Sequence, residues 1–278
     1  TWGMAVTSGL SDTPVDLYLY LVDAVNGATS SKVKLNQGLG SAAEQAYGVA
    51  GRAVFVDYDD NGVADRVYAA DTNGRVWRVN LEGSGTPCLV VELGQAVFHT
   101  PAFLVREDSS NQRVVTFYLG TADHPYQADA PEPPYWFYAF ADEDQTSTEC
   151  NTASLLWKYQ LPSDEKIWAD PSIAAEVVYA GTATGDRADI CDEDTSNPGS
   201  IYPFDLDPTS EGQPNLVGAP VSAGGNVLAG LLVFDQHIIL NTVGGTTSII
   251  GGSSWNNLSG LVGANQMKDT YWNEVVNK

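Results

Sequence analysis

Positive charge is scarce in this sequence. Its 278 residues contain 13 Lys and Arg against 35 Asp and Glu, and the net charge is −22. A field of this sign repels the phosphates of nucleic acids and anionic membrane surfaces, so we expect no nucleic-acid partner. It suits cation binding and solubility in an extracellular or salty setting, although a solvated acidic surface without any partner accounts for most of these charges.

Long hydrophobic runs are also absent. Apolar runs such as Leu231-Leu232-Val233-Phe234 are far too short to cross a bilayer, so we expect no membrane insertion. No signal peptide opens the chain. The first residues, Thr1 to Met4, are typical of the interior of a longer polypeptide.

Cysteine is rare, and the three cysteines are Cys88, Cys150 and Cys191. They contain no C-x-x-C pair, so zinc, iron–sulfur and c-type haem sites have no support. One disulfide and one remaining thiol can form in an oxidising compartment. The sequence does not choose the pair.

Histidine is equally sparse, at His99, His124 and His237. None of them lies near a serine or cysteine in a recognisable motif, so the sequence predicts no hydrolytic triad and no catalytic residues.

Helical periodicity is nearly missing, and 27 Gly with 14 Pro separate short β-rich runs. A loose unit recurs in which an apolar strand, a turn of small residues and a second strand with an aromatic end follow one another. Repeats of this kind predict an all-β fold made of antiparallel β-propeller blades, with the aromatics packed between blades. The five units are Leu17–Gly27, Arg66–Asn80, Val115–Asp123 with Tyr135–Phe140, Val177–Gly185 with Ser200–Asp205, and Leu231–Val243 with Thr246–Gly251.

Five units can fall short of a closed ring, and an open ring leaves edge strands that aggregate. We therefore expect an incomplete propeller over residues 1–278. The missing blades would lie before Thr1, in a removed segment, or on a separate chain.

The segment Asp57–Asp65 carries a dense set of oxygen ligands. Asp57, Asp59 and Asn61 alternate, and Gly62 follows at the sixth position, which is the order in which calcium loops present their ligands. The next ligand in that order is a backbone carbonyl. The predicted calcium ligands are therefore Asp57, Asp59, Asn61, Val63 and Asp65.

Strand-like sequence flanks this segment on both sides, at Ala53–Val56 and Arg66–Ala70. The loop is therefore predicted to join two strands, unlike a helix–loop–helix calcium site. Its twelfth position is Tyr68 and not Glu, so Asp65 would supply the closing carboxylate. An ordinary acidic hairpin turn is the alternative. Calcium is favoured because a bound cation relieves the repulsion among three carboxylates, and magnesium prefers few protein ligands.

Two further acidic runs, Asp142–Asp144 and Asp192–Asp194, could in principle bind cations. They lack the alternating spacing and the glycine of the first loop. We interpret both as solvated loops.

Four segments of the chain follow one another in an order typical of a known family: Leu17–Asp23, Asp57–Asp65, Asp65–Asp71 and Gly74–Arg78. Their order resembles the C-terminal domain of the PilY family of type IV pilus biogenesis and tip adhesin proteins. Ala70 stands where that family usually has Gly, and Asn80 where it usually has Asp; neither is a predicted calcium ligand. The resemblance covers most of the chain, and its specificity depends mainly on residues 54–80.

This resemblance implies a modified, quinoprotein-like β-propeller that forms the C-terminal domain of a longer protein. It further implies a non-enzymatic role in pilus assembly, retraction and surface attachment, with calcium as a switch. The location would be the pilus tip on the cell surface, reached through the periplasm. The partners would be minor pilins, a host or abiotic surface, and an N-terminal segment or chain that completes the propeller.

Two other functions remain open from the sequence. One is a pyrroloquinoline-quinone dehydrogenase on a related propeller, although such enzymes hold calcium with residues from different blades and commonly carry a vicinal cysteine pair. The other is a calcium-dependent adhesive propeller unrelated to pili.

Overall fold

The computed structural model describes most of the chain up to residue 251. Within this part the regular secondary structure is entirely β, and no helix there has the length and apolarity that a membrane crossing needs. The described residues are 3–36, 46–82, 85–108, 110–124, 126, 133–144, 150–162, 164–185, 199–224, 228–234, 237–242 and 247–251.

In the described part of the chain, eighteen strands form five antiparallel sheets, which we call blades 1 to 5 in chain order. Strands that follow one another in the chain are neighbours in the sheet, so each blade is a simple meander. Blade 1 contains β1 (Gly3–Thr7), β2 (Tyr18–Asp23) and β3 (Thr29–Lys34); blade 2 contains β4 (Val54–Val56), β5 (Arg66–Ala70), β6 (Arg75–Asn80) and β7 (Pro87–Glu92); blade 3 contains β8 (Ala102–Glu107), β9 (Arg113–Gly120), β10 (Trp136–Asp142) and β11 (Ala153–Gln160); blade 4 contains β12 (Ser172–Ala174), β13 (Val177–Gly181), β14 (Gly199–Asp205) and β15 (Val221–Gly224); blade 5 contains β16 (Leu228–Phe234), β17 (His237–Thr242) and β18 (Thr247–Gly251).

Each of the five units recognised in the sequence falls within one blade. The all-β propeller predicted from the repeats is therefore confirmed. In blades 2 to 4 each sequence unit named only two of the four strands. The short first strand β12 was missed because three residues are too few to show an alternating pattern, whereas β4 was predicted separately as a flank of the Asp57–Asp65 loop.

The turn between β5 and β6 depends on a glycine and on a buried aspartate of the repeat. Gly74 has a φ of +77°, and an added Cβ would lie 2.0 Å from the carbonyl oxygen of Gln95. The buried carboxylate of Asp71 accepts hydrogen bonds from Arg75 Nε at 2.8 Å and from Trp77 Nε1 at 2.9 Å. This aspartate therefore ties the turn to the strand that follows it.

The hydrophobic core lies between consecutive blades. One cluster of buried side chains joins each pair of neighbours, from blade 1 to blade 5, and the aromatics at the strand ends belong to these clusters, as predicted. Among the described residues, no such cluster joins blade 5 back to blade 1. Examples across each interface are Leu19 with Trp77, Tyr68 with Phe103, Trp157 with Phe204, and Tyr179 with Ile238.

Neighbouring blades also meet through their first strands, β4 with β8 and β12 with β16. Each of these four strands is at the end of its sheet. The loop between β4 and β5 therefore leaves blade 2 beside the first hairpin of blade 3, and this contact positions the candidate site.

Substitution of Trp157 by alanine tests the packing between blades 3 and 4. Its ring is buried, lies 5.2 Å from the ring of Phe204, and donates a hydrogen bond to the Leu206 carbonyl at 3.3 Å. We expect Trp157→Ala to lower the free energy of unfolding by about 3–5 kcal/mol in urea titrations, because it opens a cavity. Leu155→Ala on the same strand, with a half-exposed side chain, is the control and should change it by less than about 0.5 kcal/mol. Equal losses in the two variants would contradict this packing.

Candidate metal site in the loop between β4 and β5

The two strands that carry the loop pair in a register that closes it. Val56 lies opposite Arg66, and the Asp65 N–H donates to the Val56 carbonyl at 2.9 Å. Residues 57–65 therefore leave the sheet and return to it at the same point. This confirms the strand flanks that the sequence predicted.

The carboxylate of Asp57 organises the first half of the loop. Its Oδ1 accepts a hydrogen bond from the Asn61 N–H at 3.1 Å, and its Oδ2 accepts one from the Gly62 N–H at 2.7 Å. Asp60 and Gly62 have φ angles of +62° and +85°, a region that glycine and aspartate tolerate better than most residues. The backbone can therefore wind tightly around one carboxylate.

The carboxylate of Asp65 organises the other half. Its Oδ2 accepts hydrogen bonds from the N–H groups of Tyr58 at 2.7 Å and Asp59 at 3.3 Å. Asp65, the predicted closing ligand, therefore already contacts the beginning of the loop through its carboxylate.

Three of the five predicted ligands meet at one point. Carboxylate oxygens of Asp57, Asp59 and Asp65 all lie within 4.8 Å of one another. Two oxygens bound to one calcium ion can be separated by at most twice the metal–oxygen distance, or about 4.6–5.2 Å, so this spacing fits calcium. The donors are all oxygens, which calcium prefers.

The other two predicted ligands belong to the same hydrogen-bonded loop. Asn61 Oδ1 accepts from the Val63 N–H at 2.8 Å, and Asn61 Nδ2 donates to Asp59 Oδ2 at 2.9 Å. The Val63 side chain is exposed, as expected for a residue whose predicted contribution is its backbone carbonyl. The ligand assignment itself stays a prediction.

Blade 3 holds the loop from one side through Tyr58 and Arg113. Tyr58 Oη donates to the Arg113 carbonyl at 2.5 Å, and Arg113 Nη1 donates back to the Tyr58 carbonyl at 3.1 Å. Burial raises the pKa of the Tyr58 hydroxyl, although Arg66 opposes this shift. The hydroxyl therefore stays protonated and keeps its donor role at physiological pH.

Arg66, the first residue of β5, connects the loop to the interior. Its guanidinium carbon lies 3.8 Å above the centre of the Tyr58 ring, and its Nη2 donates to the backbone carbonyl of Asp144 at 2.7 Å. Arg66 is fully buried. One side chain thus contacts both the loop and blade 3.

Next to Arg66, blades 2 and 3 share a buried group of charges. Arg78 bonds to Asp142 Oδ2 at 2.6 Å and also pairs with the Asp144 carboxylate, while Tyr68 Oη donates to Asp142 Oδ2 at 2.8 Å. Burial alone would lower the pKa of Arg78, but Asp142, Tyr68 and Asp144 together raise it above its usual value. Burial and the Asp142 carboxylate raise the pKa of Tyr68 far above its usual value. We call Arg66, Tyr68, Arg78, Asp142 and Asp144 the interblade charge network.

The interpretation of Asp142–Asp144 as a solvated loop is therefore wrong. Asp142 and Asp144 are buried, and only Glu143 between them is exposed. Their spacing of two residues at the end of β10 places both on the side that faces blade 2. Tyr68 and Arg78 are directly opposite each other in the β5–β6 register, which aligns them with these carboxylates. Asp192–Asp194 lies outside the described residues.

A disulfide joins the same two blades. It links Cys88 on β7 to Cys150 before β11, and the Asn151 N–H donates to the Leu89 carbonyl at 2.7 Å beside it. The sequence left this pairing open. Cys191 lies outside the described residues.

The two histidines whose side chains are described, His99 and His124, give the loop no ligand. Buried His99 accepts a hydrogen bond from the Gly120 N–H on Nε2 at 2.9 Å, and burial lowers its pKa. The His124 ring packs against the rings of Tyr47 and Phe98. The side chain of His237 lies outside the description.

The five meander sheets with their core between blades define the class of the chain, which is a β-propeller. The chain is similar to the β-propeller domain of Cps50 (Swd1) from Myceliophteria thermophila, with a TM-score of 0.50 and 10% identity over 86% of this chain and 67% of that one. It also matches the computationally designed Ika4 protein, with a TM-score of 0.40 and 13% identity over 73% of this chain and 90% of that one. No family model matches the sequence.

One curated protein is similar to this chain in sequence. The chain is 23% identical over 193 residues to a type IV pilus biogenesis factor PilY1 homolog from Xylella fastidiosa, a match that covers 65% of this chain. The matched part is 12% of the length of that relative. The resemblance to the PilY family that the sequence motifs predicted is thereby confirmed, and the chain is described as a PilY-like propeller.

Replacement of Arg78 by methionine tests the interblade charge network. It leaves the buried Asp142 and Asp144 carboxylates without their guanidinium partner, so we expect the free energy of unfolding to fall by about 3–5 kcal/mol. Chemical denaturation monitored by tryptophan fluorescence measures the change. Arg52→Met is the control, because Arg52 forms a largely exposed pair with Asp170 and should change stability by less than about 1 kcal/mol. If the two variants were equally stable, the network would not hold the blades together.

Proposed function

We propose that this chain is a calcium-binding, non-catalytic propeller module of a type IV pilus component. The observation that carries the proposal is the loop from Asp57 to Asp65, in which three carboxylates converge on one point. Their mutual repulsion is a cost in the ion-free loop, and a divalent cation removes it. An ion that binds only the closed loop stabilises that conformation by mass action.

The pilus assignment rests on similarity. The relative from Xylella fastidiosa is described as a type IV pilus biogenesis factor, and the residues that resemble the PilY family surround the loop. Because the chain matches only 12% of that relative, its own role is one part of a larger activity. We assign it to pilus assembly and retraction, at the pilus tip.

An oxidising, extracytoplasmic location agrees with two features of the molecule. A disulfide such as Cys88–Cys150 persists in the periplasm and on cell surfaces, whereas the cytosol keeps thiols reduced. The net charge of −22 suits solubility in an extracellular or salty setting. Both support a protein exported through the periplasm to the cell surface.

The dehydrogenase alternative fits the site less well. All three converging carboxylates come from one loop of blade 2, whereas a quinoprotein dehydrogenase takes its calcium ligands from different blades. Cys88 and Cys150 are 62 residues apart and connect two blades, so they are not a vicinal pair. We therefore propose a structural and regulatory role for the ion.

We further propose that the five blades do not form a complete ring, and that other residues of the protein or a second chain supply the remaining blades. Within the described residues, blades 1 and 5 have three strands where blades 2 to 4 have four. The similar Cps50 domain also extends well beyond the matched part, which is 67% of it.

The further partners we propose are minor pilins and the surface to which the pilus attaches, host or abiotic.

Asp65→Asn tests calcium binding while keeping the size of the side chain. We expect the variant to bind calcium at least tenfold more weakly in isothermal titration calorimetry, because it lacks the closing carboxylate. The wild-type protein should gain about 2.7 kcal/mol of stability when calcium exceeds its dissociation constant a hundredfold, and the variant much less at the same concentration.

Asp60→Asn is the matched control for this experiment. Asp60 lies in the same loop and loses the same charge, but its side chain is largely exposed and it is not a predicted ligand. Equal calcium affinity in the Asp60 and Asp65 variants would refute the assignment of ligands.

The pilus role is tested in the organism with the full-length protein. Asp65→Ala should change the number of surface pili, counted by electron microscopy, because the ion is proposed to set the balance between assembly and retraction. Arg52→Gln, at an exposed arginine outside the loop, should leave that number unchanged. If the Asp65→Ala variant no longer binds calcium but piliation and attachment stay normal, calcium binding has no role in pilus function, and this part of the proposal is overturned.

A further inference from the structure

A cleft opens beside the loop, between blades 2 and 3. It has a volume of ≈620 Å³, which is the size of an ordinary ligand pocket. One wall is formed by Phe55 and Val56 of β4, and the other by Leu104 and Val105 of β8. Phe55, Leu104 and Val105 are only partly buried, so the cleft offers apolar surface to a ligand.

Both walls are edge strands. Among the described strands, β4 pairs only with β5 and β8 only with β9, so each presents one row of backbone groups that no described strand pairs with. An extended peptide can add to such an edge through main-chain hydrogen bonds, while its side chains enter the adjoining pocket. The shape of the cleft therefore favours a peptide segment as its occupant.

Two arginines give the cleft its selectivity. Arg106 and Arg113 line it in a chain that has only 13 basic residues. Arg106 pairs with Asp207, which is mostly exposed, and Arg113 Nη2 is 3.8 Å from Asp60 Oδ2, which is longer than a hydrogen bond. The side chains of Asp207 and Asp60 are both largely exposed and can exchange their arginine for water, so a carboxylate from a ligand can replace either of them. Guanidinium groups bind carboxylates with two parallel hydrogen bonds.

The loop and the cleft share Asp57. This residue is both a predicted calcium ligand and part of the cleft wall, and the cleft is also lined by the carboxylates of Asp60 and Glu107. Without a cation, these three groups repel an acidic ligand. A divalent ion at Asp57 adds two positive charges next to the cleft, so the affinity for a carboxylate must rise. Calcium accepts up to eight oxygens, more than the five loop residues supply if most of them bind through one atom each, which leaves room for a carboxylate from the ligand.

The geometry points to a calcium-gated binding site for an acidic peptide segment of a partner protein, in the cleft between β4 and β8. The apolar walls would hold the side chains next to the acidic residue, and Arg106 and Arg113 would hold its carboxylate. This inference rests on the calcium site proposed above and adds the class of partner to it. Because coupling between two sites is reciprocal, the peptide would also tighten calcium binding.

A fluorescein-labelled hexapeptide of alternating leucine and aspartate is the probe, and fluorescence anisotropy is the measurement. We expect the peptide to bind in millimolar calcium and at least tenfold more weakly in EGTA. A peptide with asparagine in place of aspartate should bind at least tenfold more weakly in calcium. Asp65→Asn should show no calcium-dependent binding, which controls for calcium bound by the peptide itself.

Substitutions in the cleft separate the two sites. Arg106→Gln should weaken peptide binding at least tenfold without weakening calcium binding, because Arg106 is not a predicted calcium ligand and the loss of its positive charge cannot repel the ion. Glu107→Gln should strengthen peptide binding, an effect that a folding defect cannot produce. Arg52→Gln, at an exposed arginine outside the cleft, should change neither affinity.

The outcomes distinguish this inference from the calcium function. If the protein binds calcium but binds both peptides equally, or the acidic peptide equally in calcium and EGTA, the gated site is overturned and the calcium function stands. If calorimetry finds no calcium binding at all, both are overturned.

Discussion

The ion pairs between Arg78 and the carboxylates of Asp142 and Asp144 are the interaction on which this region depends. All three side chains are buried, so each charge has lost the water that would otherwise stabilise it. The pairs form only when blades 2 and 3 are docked in one register, because Arg78 belongs to β6 and Asp142 to β10. A hydrophobic interface tolerates small shifts, whereas this one does not, and the relative position of the two blades is therefore closely defined.

The candidate metal loop takes its position from this arrangement. Arg66 donates to the Asp144 carbonyl on one side and stacks on Tyr58 of the loop on the other. Tyr58 and Arg113 then exchange hydrogen bonds between the loop and β9. The loop is thus a hairpin turn of blade 2 that is also held by blade 3. A shift of one blade against the other would therefore move the carboxylates of the loop.

Features that depend on neighbours in the sequence were predictable, and features that depend on neighbours in space were not. The loop was recognised because its oxygen donors alternate over nine residues, and the blades because each strand pair with its turn repeats locally. The Cys88–Cys150 disulfide and the burial of Asp142 depend on how one blade docks on the next, which no local pattern records. A sequence signal did exist: Arg66 and Arg78 are placed within two strands that otherwise read as core, and a buried arginine requires a buried acid.

The position of the loop explains why a cation there can do more than stabilise a turn. A calcium ion at Asp57 would stand at the wall of the cleft between β4 and β8, where Arg106 and Arg113 already favour a carboxylate. The electrostatic effect of the ion on an acidic ligand has a definite sign, whatever the remaining charges are, because two positive charges are added at one edge of the cleft. The buried ion pairs keep the two walls in place, so the ion can change the charge of the cleft without changing its shape. In the proposed mechanism, calcium would therefore act through the affinity of a rigid site, and a partner with an acidic segment would sense the ion without a rearrangement of the blades.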